Sequence, residues 1–175
     1  GNRETGLDIT GFTGQKPVLL IIGGSQGALS INTTIYSKLE ELTSMFDVIH
    51  ITGRGKKHVI DPSLESKISN SYYSVEFAND ELAHLYAITT IAISRSGAGS
   101  IAELAANSIP AILIPLRDVG HDHQQKNAET VKAIGGCKLL QQVDMNATLV
   151  PCLEYLVENP DKLNAMSSAM HNMHT

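Results

Sequence analysis

The chain has 175 residues, 42% of them hydrophobic and 18% charged, with a formal net charge of -5. That size and apolar content suit one sizeable core rather than a disordered chain, and an acidic balance without a long basic run argues against a nucleic-acid module. The apolar stretches fall short of the roughly 20 residues that span a bilayer. No secretory leader is recognisable, so a cytoplasmic setting is expected. Cys137 and Cys152 are too few and too far apart for a disulfide scaffold or a metal knuckle.

Residues 1–16 are polar and turn-rich and read as a lead-in to a domain spanning 17–175. Residues 17–22 are continuously apolar, as in a strand covered on both faces, and run into Gly23-Gly24-Ser25-Gln26-Gly27-Ala28. The next segment, to about Met45, places Ile31, Ile35, Leu39 and Leu42 at spacings of three and four, which predicts a helix with one buried stripe. A second strand is expected over 47–52, a short helix or loop over 56–70, a third strand over 72–77 and a helix over 80–87. Strands at 91–94, 111–115 and 137–140 alternate with helices at 100–107 and 125–134, the latter stopped by Gly135-Gly136. Two helices, about 146–157 and 160–173, close the chain. Strand and helix alternate without hairpin signals, which predicts an α/β fold with a Rossmann-like, doubly wound parallel sheet.

Ligands of such sheets bind in the turns at the carboxyl ends of the strands. Ser94-Arg95-Ser96-Gly97-Ala98-Gly99-Ser100 is one such turn. Its glycines let a ligand come close to backbone amides at a helix N-terminus, the arrangement of a phosphate seat. Ser100-x-x-Glu103 equally matches a capping box, so Glu103 reads either as a cap or as a carboxylate accepting from two ribose hydroxyls. Gly24-Ser25-Gln26-Gly27 resembles a loosened dinucleotide fingerprint. The second strand, however, ends in His50-Ile51-Thr52-Gly53 rather than in the carboxylate an NAD ribose wants. Asp122-His123-Gln124-Gln125 with Asn127 offers amides and an imidazole suited to sugar hydroxyls, or forms a merely solvated loop. His121 and His123 lack further ligands for a metal. Arg54 and Arg95 are the basic residues nearest the binding edge, to meet a phosphate or to serve as surface charges. His50, His58, His84, His171 and His174 default to structural or exposed roles.

Taken in order, Gly23-Gly24-Ser25-Gln26-Gly27-Ala28, Glu76-Phe77 with Leu82 to Tyr86, Arg95-Ser96-Gly97-Ala98, Glu103-Leu104-Ala105, Ile109-Pro110-Ala111 and His123-Gln124-x-x-Asn127-Ala128 closely resemble the MurG family. These bacterial glycosyltransferases add N-acetylglucosamine to lipid I to make lipid II. The resemblance runs from about Lys16 to Leu163. It implies the C-terminal, donor-binding half of a GT-B enzyme, with the acceptor-binding N-terminal domain absent from this chain. It further implies that Ser25 meets the donor phosphates and that the main chain at Ala78 reads the uracil edge. Ala98, Gly99 and Ser100 would face sugar and diphosphate, Glu103 the ribose, and Gln124 with His123 or Gln125 the N-acetylglucosamine ring.

The family's Asn-Pro-x-Arg linker motif is replaced here by Gly1-Asn2-Arg3-Glu4. The implied reaction is inverting transfer from UDP-N-acetylglucosamine without a cofactor or essential metal, on an enzyme peripheral to the cytoplasmic face of the membrane. No carboxylate or histidine of this chain has a clear claim as general base. Other UDP-sugar GT-B transferases, an epimerase on the same scaffold and a non-enzymatic nucleotide-binding domain are the alternatives.

Overall fold

The computed structural model describes residues 1–23, 28–117 and 123–175. Gly24, Ser25, Gln26 and Gly27, and with them the first glycine loop, lie outside the described residues, as do His121 and Asp122. The chain divides into two compact units, Gly1–Thr90 and Ile91–Thr175.

In the first unit, strands β1 (Val18–Ile22), β2 (Asp47–Ile51) and β3 (Tyr72–Val75) run parallel in the order β3-β2-β1. Leu20 pairs with Ile49, and Ile49 with Tyr73. The apolar run of β1 is buried because helices cover it, and Leu19, Leu20 and Ile21 are inaccessible to solvent. The predicted single helix is two, α2 (Leu29–Ser37) and α3 (Leu39–Met45), broken at Lys38. Ile31, Ile35, Leu39 and Leu42 are nonetheless all buried, so the stripe survives the break. Helix α4 (Pro62–Ile68) starts at Asp61, whose carboxylate accepts from the Ser63 amide, and α5 (Leu82–Ile88) follows β3.

The lead-in is not featureless. Residues Arg3–Thr10 form α1, capped by the Asn2 side chain accepting from the Thr5 amide. Helix α1 packs on α5, and the Asn2 amide donates to His84 Nδ1 at 3.0 Å. Gly6 sets the closeness of that packing, since a Cβ there would stand 2.3 Å from the His84 carbonyl oxygen.

The second unit repeats the plan with β4 (Ile91–Ser94), β5 (Ala111–Leu113) and β6 (Cys137–Leu139), parallel in the order β4-β5-β6. Ile93 pairs with Ile112, and Ile112 with Lys138. Helices α6 (Ala98–Ala106) and α7 (His123–Ala133) link the strands, and a 3-10 turn (Gln142–Asp144) leads into α8 (Met145–Glu158) and α9 (Pro160–His174). Three strands in the order 3-2-1 and three in the order 4-5-6 give the α/β, doubly wound class expected from the sequence. Helix α7 ends at Ala133, and Gly135 just beyond it, with a φ of 84°, is the left-handed stop that Gly135-Gly136 predicts.

Candidate functional site

The β4–α6 turn is the best-defined candidate. Strand β4 ends at Ser94, and Gly97, extended with φ -64° and ψ 149°, is the N-cap of α6. The N-cap residue, a glycine, has no side chain to cap the helix. The first backbone bond of its opening turn runs from the Ile101 amide to the Gly97 carbonyl at 3.1 Å. The amides of Ala98, Gly99 and Ser100 therefore lack intrahelical acceptors and point outward at the positive end of the helix dipole. Helix N-termini of this kind offer anions a seat.

The capping-box alternative is corrected by this geometry. Because the chain enters the helix at Ala98, Ser100 is its third residue and not its cap, and Glu103 stands one turn in, on the exposed side. Neither glycine of the turn is demanded by backbone conformation, since neither has positive φ. Nor does packing demand them. Among the described residues, a Cβ on Gly99 would meet nothing within 4 Å, and one on Gly97 would meet only Gln124 Nε2, at 3.9 Å.

The start of α7 is held against this turn. Ser96 Oγ donates to the Gln124 carbonyl at 2.7 Å, and Asn127 Nδ2 donates to the Ser96 carbonyl at 3.0 Å. Ser96 is fully buried. Both side chains, expected among the ligand contacts, thus serve the protein's own backbone. Gln124 Oε1 accepts from the Leu116 amide at 2.8 Å, which leaves Nε2 on the side of Gly97. Gln125 turns elsewhere, donating to Glu129 Oε1 at 3.0 Å and accepting from Gln141 Nε2 at 3.2 Å. His123 is exposed at the first position of α7. Of the three neighbouring candidates for the sugar, Gln124 is the one fixed beside the glycine turn.

Arg95, expected at the phosphate edge, turns inward and is 6% exposed. One terminal nitrogen donates to the carbonyls of Ile114 (3.2 Å) and Pro115 (3.5 Å), and the other to Gln142 Oε1 at 2.6 Å. Burial lowers its pKa from the ordinary value. The Leu116 amide and Gln142 carried no signal in the sequence, because both act only through contacts made in the folded chain.

In the first unit, Glu76 closes the turn after β2. Its carboxylate accepts from the Gly55 amide at 3.2 Å and its carbonyl from the Gly53 amide at 2.8 Å. The Arg54 guanidinium lies 4.3 Å from the centre of the Phe77 ring, so that arginine is engaged by an aromatic face. Ala78 follows, half-buried, between Phe77 and α5.

Behind this edge His50 is completely buried on β2. Asn32 Nδ2 donates to the Thr52 carbonyl (2.8 Å), so Asn32 Oδ1 accepts from His50 Nε2 (2.9 Å). His50 Nδ1 then accepts from the Tyr72 hydroxyl at 2.8 Å, which assigns the neutral Nε2–H tautomer. Burial pushes the His50 pKa down to about 4 and the Tyr72 hydroxyl above its usual range.

Among the described residues no group of three or more His, Cys, Asp or Glu is placed to hold a metal. No described helix is long and apolar enough to cross a membrane. Cys137 is buried, with its thiol pushed up to about 12.

The glycosyltransferase family 28 C-terminal domain model matches residues 18–175. A UDP-N-acetylglucosamine--N-acetylmuramyl-(pentapeptide) pyrophosphoryl-undecaprenol N-acetylglucosamine transferase of Legionella pneumophila (strain Lens) is 40% identical over 172 residues, 97% of this chain and 46% of that protein. The protein of the same name from Geobacillus kaustophilus (strain HTA426) is 39% identical over 164 residues, 93% of this chain and 44% of that protein. The chain spans about half the length of the curated relatives it matches.

Among solved structures, Acinetobacter baumannii MurG is similar with a TM-score of 0.73 at 24% identity, covering 95% of this chain and 48% of that one. The ALG13 solution structure reaches 0.56 at 16% identity over 82% of this chain and 86% of that one. These likenesses show the fold, which is that of a GT-B glycosyltransferase half. With nearly its whole length matched, the chain belongs to the glycosyltransferase family 28 C-terminal domain family.

Proposed function

We propose that this chain is the UDP-N-acetylglucosamine-binding domain of an inverting N-acetylglucosaminyltransferase that converts lipid I to lipid II. The observation that carries the reading is the α6 N-terminus, which begins at a glycine N-cap and opens beside Gln124. The relatives' names support the choice of donor and acceptor. The diphosphate takes the amides of Ala98, Gly99 and Ser100, Glu103 accepts from the ribose hydroxyls, and Gln124 meets the sugar. Ser25 and the main chain of Ala78 are assigned to phosphate and uracil on the strength of the family resemblance.

In the reaction, an acceptor hydroxyl attacks the anomeric carbon from the face opposite the leaving UDP. The helix-terminal amides stabilise the charge that grows on the diphosphate, which is electrostatic catalysis by fixed dipoles. The acceptor, the general base and the contact with the cytoplasmic face of the membrane belong to an acceptor domain that completes the enzyme. The chain alone binds the donor and transfers nothing.

Titration calorimetry with UDP-N-acetylglucosamine, with UDP-glucose and NAD beside it, tests the reading. Selective heat with the first ligand is expected. A preference for NAD, or equal binding of both sugar nucleotides, would overturn the donor assignment, and lipid II synthesis by this chain alone would overturn the claim of inactivity.

A further inference from the structure

The direction in which Gln124 presents its amide is fixed by a chain of contacts that begins at Arg95. The Leu116 N–H is only a donor, so the Gln124 atom 2.8 Å from it is the carbonyl oxygen. Nε2 must then face Gly97, so the side chain turns its donors toward a ligand placed there. The Leu116 amide in turn owes its position to the two residues before it. Both carbonyls there, Ile114 and Pro115, accept from one nitrogen of the buried Arg95, while the other nitrogen is held by Gln142 at 2.6 Å. Gln142 is exposed, on the 3-10 turn after β6. The linkage therefore runs from a surface glutamine, through a buried guanidinium and the end of β5, to the side chain beside the phosphate seat.

We infer that Arg95 and Gln142 are positioning residues that set sugar selectivity by locking Gln124 with its Nε2 toward the ligand, so that the subsite recognises an acceptor oxygen on the transferred sugar. This inference rests on the donor-domain reading above and deepens it. Arg95 itself touches no ligand; its charge serves to hold two carbonyls and one amide oxygen at once, which a lysine ammonium on a flexible stem does less rigidly. Loss of Gln142 removes one of the bonds that hold the guanidinium, the Ile114–Leu116 segment gains play, and Gln124 samples orientations that turn its oxygen to the ligand.

The test compares the affinities of UDP-N-acetylglucosamine and UDP, the same ligand without the sugar, for the wild-type chain, Gln142→Ala, Arg95→Lys, Gln124→Ala and the double variant Gln142→Ala/Gln124→Ala. Melting temperatures are recorded beside them. Because Gln142 is a surface residue, Gln142→Ala is expected to melt close to wild type. Its affinity for the sugar nucleotide is expected to fall about fivefold, the net worth of one hydrogen bond, with UDP affinity unchanged. Arg95→Lys should move the ratio in the same direction.

In the Gln124→Ala background, Gln142→Ala should have no further effect on the ratio, since it acts only through Gln124. Parallel weakening of both ligands, an unchanged ratio, or an undiminished effect in the Gln124→Ala background would each overturn the inference while leaving the donor-domain reading in place. If the wild-type chain binds neither ligand, the donor-domain reading falls and takes this inference with it.

Discussion

Gly97→Ala separates a glycine kept for the fold from one kept for a ligand. The native φ of -64° and ψ of 149° are open to alanine, and among the described residues the new methyl would meet only Gln124 Nε2 at 3.9 Å, an ordinary contact. The structural cost is then that of a poorer N-cap, at most about 1 kcal/mol, which for a chain of this size lowers Tm by roughly 2–4 °C. The functional cost is larger. The methyl stands between the outward amides of α6 and the Gln124 amide, the space assigned to the diphosphate and the sugar.

Displacing the diphosphate from one charge-assisted hydrogen bond costs about 1.5–3 kcal/mol, which corresponds to an affinity loss of roughly 10- to 150-fold. Calorimetry with UDP-N-acetylglucosamine and a melting scan on the same sample read both quantities. A variant that melts within a few degrees of wild type and still binds with wild-type affinity would refute the placement of the ligand in this gap.

Gly99→Ala is the contrasting case. Its Cβ meets nothing among the described residues and its amide is retained, so the variant should gain up to about 1 kcal/mol from helix propensity and keep its affinity, readable by the same two measurements. Glu103→Ala should weaken UDP-sugar binding while moving stability by no more than about 0.5 kcal/mol, because Glu103 lies beyond the cap region; a clear drop in Tm with affinity intact would return it to a structural role.

His50 predicts acid sensitivity. Its folded pKa of about 4 lies below the ordinary 6.5, so below pH 6.5 the unfolded chain binds a proton that the native chain refuses. Stability contributed at neutral pH is therefore lost as pH falls from 6.5 towards 4, by about 3 kcal/mol in all. Urea unfolding at pH 7 and pH 4.5 should show this loss in wild type and a flatter dependence in His50→Phe, whose stability at pH 7 is lower because Asn32 and Tyr72 lose their partner.

What was legible in the sequence is what depends on short-range pattern. The run at 18–22 and the alternation of apolar strands with striped helices fix the class of fold, because a strand covered on both faces must be apolar throughout. The polar segment Arg3–Thr10 is hidden from such a reading. Its helix is specified by the Asn2 cap and by Gly6 meeting α5, a contact 78 residues away in the chain. The Ser100-x-x-Glu103 signal misleads for a related reason, since an extended Gly97 takes the cap position three residues earlier.

At the site, residue types were readable but their directions were not. Ser96, Asn127, Gln125 and Arg95 carry the groups a sugar nucleotide would want. Each spends them on partners between 4 and 47 residues away, and only the folded chain shows which of them remains turned toward the turn. Gln124 is distinguished from Gln125 by one backbone amide at Leu116. A sequence cannot rank two adjacent glutamines. A donor on a fixed backbone can, because it decides which one presents its nitrogen beside Gly97.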